Sequence, residues 1–232
     1  MRIVTWNCGG ALRRKRSALD SLEADILVIQ ECESPANSRD TTYQQWAGNH
    51  LWIGTDKNKG LGVFARADLS LAPLPREDHG LQLLLPCQID DLTLLAVWTK
   101  KSDSTTFRYI GQLWKWLQFH QDLLTAERAL LLGDLNSNAI WDAQHRGCSH
   151  SDVVRILDQR GMVSLYHHTR NERHGGETIP TLFFRRDQGR PYHIDYAFLS
   201  PALLAGARLD IGDPATWLTL SDHMPVVVDL AP

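Results

Sequence analysis

Polar side chains able to hold a cation or move a proton stand at the ends of apolar runs in this sequence. Asn7 follows Ile3-Val4-Thr5-Trp6, and Gln30-Glu31 follows Ile26-Leu27-Val28-Ile29. Ala129-Leu130-Leu131-Leu132 leads into Gly133-Asp134-Leu135-Asn136. Asp195 interrupts His193-Ile194-Asp195-Tyr196-Ala197-Phe198, and Ser221-Asp222-His223-Met224-Pro225 precedes the last apolar run. Taken one at a time, these have bland readings: Asn7 and Gly-Asp-Leu-Asn as turns, Glu31 as a solvated strand end, Asp222-His223 as a loop. Taken together, they place carboxylates in or beside buried strands, where each is costly unless paired, hydrogen-bonded or metal-bound. Gathered at one end of a sheet, such oxygens suit a hard cation, Mg²⁺ or Mn²⁺. No His/Cys set with zinc spacing accompanies them.

The segments that must position these residues alternate between strand-like and helix-like. Arg2 to Trp6, Ile26 to Ile29, Leu61 to Ala65, Gln82 to Leu85, Leu92 to Trp98, Ala129 to Leu132, Ile194 to Leu199 and Val226 to Leu230 read as strands, several apolar enough to be covered on both faces. The apolar spacing predicts helices over 10–22 and about 108–124, the second through Ile110, Leu113, Trp114, Leu117 and Leu124. A third helix is expected over Ser151–Gln159, with Ser151 as N-cap and Gly161 just beyond its end. The sum is a sheet-rich α/β domain with helices on the outside of its sheets.

Composition narrows the function classes. The chain has 232 residues, 24 Lys+Arg against 27 Asp+Glu and 43% apolar types. Its net charge of −3 excludes a polybasic protein that coats nucleic acid by charge alone, while leaving room for a local basic groove. Cys8, Cys32, Cys87 and Cys148 are widely spaced and read as buried or free reduced thiols. No run approaches the roughly 18 apolar residues of a membrane span. The N-terminus lacks a signal-peptide core, so the expected address is a reducing cytoplasm.

Thr5-Trp6-Asn7, Ile29-Gln30-Glu31, Gly133-Asp134-Leu135-Asn136, Ile194-Asp195-Tyr196 and Ser221-Asp222-His223-Met224-Pro225-Val226 occur in one order across the chain. This ordered set resembles the endonuclease/exonuclease/phosphatase superfamily, metal-dependent phosphoesterases that include exonuclease III-like and DNase I-like enzymes. Lys59-Gly60-Leu61-Gly62-Val63-Phe64 resembles the family's Gly-rich strand start, and Thr181-Leu182-Phe183-Phe184 is a weaker echo. The resemblance implies one domain over 1–232. Its fold would be a four-layer α/β sandwich, two mixed β-sheets face to face with helices outside, and loops from both sheets would meet at the site.

The reaction so implied is hydrolysis of a phosphate ester, with water attacking phosphorus in line while Mg²⁺ or Mn²⁺ offsets charge on the phosphoryl oxygens. Glu31 would be the direct metal ligand, Asn7 would hold metal or phosphate, and Asp222 would be a further metal contact. Asp134 would orient and deprotonate the water, and Asn136 would donate its amide hydrogens to the phosphate. His223 would hydrogen-bond a phosphoryl oxygen, oriented by Asp195. Near the start of the long middle helix the family's nucleases place a phosphate-contacting Tyr, and Tyr109 is the nearest candidate, with Arg108 beside it. His193 stands where the family often has Arg.

The family hosts many substrates, so its fold does not choose among them. Nucleic acid is the expected substrate of a chain expected to be monomeric. Arg13-Arg14-Lys15-Arg16, Lys57/Lys59, Lys100-Lys101 and Arg185-Arg186 would line a phosphate track, with Trp46, Trp52, Trp98 and Trp141 available for stacking. The bland reading of the Arg13–Arg16 run is a solvated helix face. His167-His168 and His174 read as surface residues of a polar loop. The alternatives are a phosphatase or phosphodiesterase on inositol phosphates, lipid headgroups or small nucleotides, and a catalytically silent phosphate-binding module.

Overall fold

Each apolar run turns its alternate residues to different partners, and that alternation sets which side chains reach the site. The computed structural model describes residues 1–101, 107–145 and 147–231. Its strands are β1 (Arg2–Asn7), β2 (Ile26–Cys32), β3 (Asn49–Asp56), β4 (Lys59–Ala65), β5 (Leu71–Pro73), β6 (Leu84–Ile89) and β7 (Leu92–Trp98). There follow β8 (Ala129–Asp134), β9 (Val163–Ser164), β10 (Leu182–Phe183), β11 (Pro191–Tyr192), β12 (Asp195–Leu199), β13 (Arg208–Ile211) and β14 (Val226–Asp229). The α-helices are α1 (Arg16–Asp20), α2 (Thr41–Ala47), α3 (Ile110–Phe119), α4 (His150–Gln159), α5 (Leu165–Arg170), α6 (Pro201–Leu204) and α7 (Pro214–Trp217).

Two mixed six-stranded sheets form, in the orders β13-β14-β1-β2-β4-β3 and β5-β6-β7-β8-β12-β9, beside a small β10-β11 ribbon. Each large sheet holds one parallel pair, β1-β2 in the first and β7-β8 in the second. The sheets pack face to face. Ile3, Ile26, Val28 and Val228 of one interlock with Leu94, Ala96, Leu130, Leu132 and Ala197 of the other in a shared core. The reverse face of the first sheet, through Trp6, Ile29, Cys32 and Phe64, packs on Leu19 of α1, Tyr43 of α2 and Trp217 of α7. On the reverse face of the second, Leu95, Val97, Leu131 and Phe198 pack on Leu113 and Trp116 of α3 and on Val153 and Leu157 of α4. Helix, sheet, sheet and helix thus make four layers, as the resemblance implies. All four cysteines are buried and none forms a disulfide among the described residues.

The strand expected over Gln82–Leu85 is β6, Leu84–Ile89, β3 is not among the expected strands, and all three expected helices change. The helix expected over 10–22 is a 3₁₀ turn (Leu12–Arg14) followed by α1, because Ala11 is left-handed and Lys15 leaves helical geometry at φ −118° and ψ −5°. The Lys15 ammonium donates instead to the Cys8 carbonyl. The long middle helix stops at Phe119, where His120 turns out of the helix at φ −113° and ψ 70°. The N-cap of α4 is Ser149 rather than Ser151. Ser149 Oγ accepts from Asp152 N at 3.2 Å while Asp152 Oδ2 accepts from Ser149 N at 3.0 Å, a reciprocal box for which Ser151 has no partner three residues on. Ser149→Ala is expected to cost about 1 kcal/mol in a urea denaturation series, and Ser151→Ala only a few tenths.

Candidate active site

Strand alternation aims three polar residues into the space between the sheets. Ile3 faces the shared core, so Thr5 and Asn7 follow it on the same side of β1. In β8, Leu130 and Leu132 set the same parity for Asp134, and in β12, Ala197 and Leu199 set it for Asp195. Asp195 lies directly across the ladder from Asp134. Asn7, Asp134 and Asp195 therefore converge at one edge of the sandwich, with His223 arriving from the segment before β14.

Asp134 is fully buried and its carboxylate accepts three N–H groups. Asn7 Nδ2 donates to Oδ2 at 2.9 Å, Asn136 Nδ2 to Oδ2 at 2.8 Å and Asn136 N to Oδ1 at 2.8 Å. A carboxylate offers about four lone-pair sites, so one remains for a further donor. His223 Nδ1 bonds Asp195 Oδ2 at 3.0 Å, and its Nε2 stands 4.0 Å from Asp134 Oδ2. That spacing is too long for a direct hydrogen bond.

The electrostatics follow from burial and these neighbours. Burial opposes charge on His223, but Asp195 and Asp134 outweigh it and raise its pKa well above the ordinary imidazole value. Burial pushes the Asp134 carboxyl up, and the Asp195 charge adds to the push. His223 and the Asn7 and Asn136 donors work against it. The result is an imidazolium held beside a carboxylate whose proton affinity lies above the usual range, the pairing a general base and an electrostatic partner require.

Several residues without an assigned role from sequence hold this arrangement. Ser221 Oγ donates to the Asn7 carbonyl at 2.7 Å and accepts from His223 N at 3.1 Å, tying β1 to the His223 segment. Thr181 Oγ1 accepts from Ile194 N and Asp195 N, both at 3.0 Å, and Trp6 Nε1 donates to the His223 carbonyl at 2.9 Å. Ser221 lies inside an ordered motif and Thr181 in the weaker Thr181–Phe184 echo, but only the tertiary pairing shows what their hydroxyls do.

The remaining candidates sit around this centre. Glu31 continues β2 one residue past Gln30, which is paired with Asn7, and a β-bulge with φ +60° at Glu31 breaks the alternation there. Its carboxylate takes Lys59 Nζ at 2.6 Å on a half-exposed rim. Asp222 is half-buried, its carbonyl accepts from Phe183 N at 2.8 Å, and its charge helps hold the His223 imidazolium. Both Asn136 amide hydrogens are engaged, one by Asp134 and the other by the Thr99 carbonyl at 2.8 Å, so the side chain as placed orients Asp134 rather than facing a phosphate. Tyr109 caps α3 at φ 49° and ψ −124°, and its N–H donates to the Lys100 carbonyl, one residue beyond Thr99. Arg108 is half-buried beside it. His193 is buried and neutral, its pKa lowered by burial, and its Nδ1 bonds the Ile179 carbonyl, so it gives the site no ionic support.

Ligand atoms of Asp134, Asp195 and His223 all lie within 4.8 Å of one another, close enough for one cation. The trio's hydrogen bonds and the positive charge on His223 favour proton handling there. Glu31 at the rim presents an anionic oxygen, and Gln30 Oε1, buried with no hydrogen-bond partner among the described residues, lies on the strand position before it. An all-oxygen set of this kind fits a hard cation.

No curated protein matches the chain. Among solved structures, a 3'-5' exonuclease (NExo) from Neisseria meningitidis superposes with a TM-score of 0.76 at 22% identity, covering 100% of both chains. A 3' phosphatase NExo from Neisseria bound to product DNA hairpin gives 0.74 at 20% identity, again over 100% of both. An AP endonuclease from Archaeoglobus fulgidus gives 0.70 at 19% identity over 100% of both. At these identities the likeness carries the fold, a DNase I-like sandwich. The sequence model of the Endonuclease/Exonuclease/phosphatase family matches residues 4–223, and the chain belongs to that family.

Proposed function

We propose that the chain is a Mg²⁺- or Mn²⁺-dependent phosphodiester hydrolase whose substrate is DNA or RNA. The observation that carries this reading is the Asp134–His223 pair. A buried carboxylate whose Oδ1 keeps one open lone pair stands beside an imidazolium whose Nε2 is 4.0 Å from Oδ2, too far to bond it, so Oδ1 is left for the attacking water and the Nε2–H for a phosphoryl oxygen. Asp134 takes the proton of the attacking water through its remaining lone pair. Asn7 and Asn136 hold its carboxylate still, so little reorganisation is needed at the moment of attack. His223 directs its Nε2–H at a phosphoryl oxygen, and Asp195 fixes the ring by bonding Nδ1. Glu31, with Asn7 and Asp222, would hold the cation, which supplies charge to offset the phosphoryl oxygens in the transition state.

The choice of nucleic acid rests on cations placed by backbone around the same edge. Lys15 bonds the carbonyl next to Asn7, Lys59 pairs with Glu31, and Lys100 follows Thr99. Arg185 and Arg186 are exposed, directly after β10, and Arg186 Nη2 donates to the Leu220 carbonyl beside the Asp222–His223 segment. Four separate chain segments thus bring positive charge to one rim of an otherwise acidic protein, the footprint of a polyanion rather than of one small phosphate. The DNA hairpin held by the Neisseria 3' phosphatase supports the same substrate class. The tryptophans contribute less than the sequence offered. Trp98 is buried, and Trp46 packs on Tyr43 and Phe64.

The test is a panel of single-stranded, duplex and abasic DNA, RNA, inositol phosphates and a generic phosphodiester, each with Mg²⁺ and with chelator. Cleavage of at least one nucleic acid, falling steeply as salt rises through counterion release, is the expected result. Turnover confined to inositol phosphates or small esters would move the chain to the phosphatase reading, and no turnover at all would make it a silent phosphate binder. Glu31→Gln is expected to raise the Mg²⁺ concentration for half-maximal activity by at least about 10-fold. An unchanged Mg²⁺ dependence removes Glu31 from the cation's ligands.

A further inference from the structure

Away from the active-site chemistry, a second cluster of ligating side chains is built into the protein. His167 on α5, His174 and Glu177 offer ligand atoms that all lie within 4.8 Å of one another. From sequence, His167 and His174 read as surface residues of a polar loop. Instead both are half-buried, and their rings stack with centroids 3.6 Å apart and planes 23° apart. His168 alone of the three is exposed. From this cluster we propose that His167, His174 and Glu177 form a Zn²⁺ site, distinct from the hydrolytic centre, that ties the loop following α5 to the body of the fold.

The donor set is two imidazoles and one carboxylate, which suits Zn²⁺ better than the all-oxygen rim at Glu31 does. Each donor also has a supporting partner on its other polar atom, as ligating residues usually do. Ser164 Oγ lies 2.7 Å from His167 Nδ1, leaving Nε2 for the metal, where it now faces Glu177 Oε1 at 3.1 Å. His150 Nε2 lies 3.1 Å from His174 Nδ1, leaving the other nitrogen of His174. Asn138 Nδ2 donates to Glu177 Oε2 at 3.0 Å.

Gly175 N also donates to Glu177 Oε1 at 3.1 Å and to Oε2 at 3.0 Å, and two further features set the cluster apart from an ordinary packed core. Four imidazoles, those of His150, His167, His174 and His193, crowd around a single carboxylate. Two of their buried nitrogens, His150 Nδ1 and His193 Nε2, have no partner among the described residues. Such an arrangement is costly if its only role is packing. A cavity of about 370 Å³ opens onto His167 and His174, lined also by Met162, Val154, Ser164 and Phe198. It would give a solvent molecule access to the two imidazoles, as a fourth ligand beside three protein donors requires.

The mechanical consequence is local. Residues 171–181 contain no regular strand or α-helix. The same stretch ends at Thr181, whose hydroxyl accepts from the backbone N–H of Asp195. An ion held between α5 and this loop would stiffen the segment that carries Thr181, without touching Asp134 or His223.

The test uses the full-length chain stripped of metal and titrated with Zn²⁺, and with Co²⁺ as a spectroscopic probe. The wild type is expected to bind one equivalent that His174→Ala and His167→Gln each weaken by at least about 100-fold and Glu177→Gln by at least about 10-fold. The Co²⁺ ligand-field absorption should disappear in the same variants. His168→Ala and Asp134→Asn should retain that equivalent, and at one Zn²⁺ concentration the melting temperature of the wild type should rise more than that of folded Glu177→Gln. Absence of saturable binding overturns the proposal, as does equal affinity in folded His167→Gln and Glu177→Gln. Loss of the equivalent in Asp134→Asn would assign the ion to the hydrolytic centre instead. None of these outcomes depends on hydrolase activity, so the zinc site and the nuclease reading fail separately.

Discussion

Asp134→Asn and His223→Ala should each lower turnover on a nucleic acid substrate by at least about 10²-fold while leaving the fold intact. The amide that replaces the Asp134 carboxylate would nearly match it in shape, but it can take no proton from water. Its one carbonyl oxygen could replace Oδ2, which accepts from Asn7 Nδ2 and Asn136 Nδ2, but its NH₂ would then meet the Asn136 backbone N–H that Oδ1 now accepts. Removing the imidazole would delete the Nε2–H that the proposed mechanism directs at a phosphoryl oxygen, and it leaves Asp195 buried without its Nδ1 partner. Because both residues serve one step, the double variant should lose much less than the product of the two single losses. Fully multiplicative losses would mean that the two side chains act on separate steps.

Gly133→Ala should lower the free energy of unfolding by at least about 3 kcal/mol, read as the midpoint shift in urea. Gly133 is a strand residue, wedged between Val97 of β7 and Tyr196 of β12, with φ +150°. A β-carbon there would stand 2.0 Å from the Val97 carbonyl oxygen and 2.9 Å from its carbon, both backbone atoms that move only with the strand. The alanine would either part β7 from β8 or twist Gly-Asp-Leu-Asn, and either displaces Asp134 from Asn7. A midpoint within about 1 kcal/mol of the wild type would show that the ladder yields easily and that the glycine has another purpose.

Much of the centre was legible because strand parity is written in the sequence. Leu130 and Leu132 face the shared core and so does Asp134. Ala197 and Leu199 do the same for Asp195, and Ile3 does it for Asn7. What lay beyond reach was set by backbone departures and long-range packing. The bulge at Glu31 overrides the period of two, so no alternation rule aims its carboxylate. Ala11 enters a left-handed turn that splits an otherwise well-patterned helix. The edge strand β3 is half-exposed and lacks a dense apolar run, which hid it. His174 and Glu177 sit in Asn171-Glu172-Arg173-His174-Gly175-Gly176-Glu177, polar by composition, and acquire their burial only when the loop folds against His150 and Tyr196. Asn136, assigned by resemblance to a phosphate, spends its amide hydrogens inside the protein, a detail fixed by Thr99 on a segment more than thirty positions away.

The central claim is that these buried groups hydrolyse a phosphodiester with the help of a divalent cation. It is tested most directly by following cleavage of one labelled oligonucleotide, chosen from the panel as the best substrate, by wild-type and Asp134→Asn protein. Each is assayed with Mg²⁺, after chelation and after Mg²⁺ is restored. The expected result is wild-type cleavage that vanishes on chelation and returns with Mg²⁺, against at least about 10²-fold slower cleavage by the variant with Mg²⁺ present. Cleavage that persists in chelator, or that proceeds equally in the variant, would contradict it.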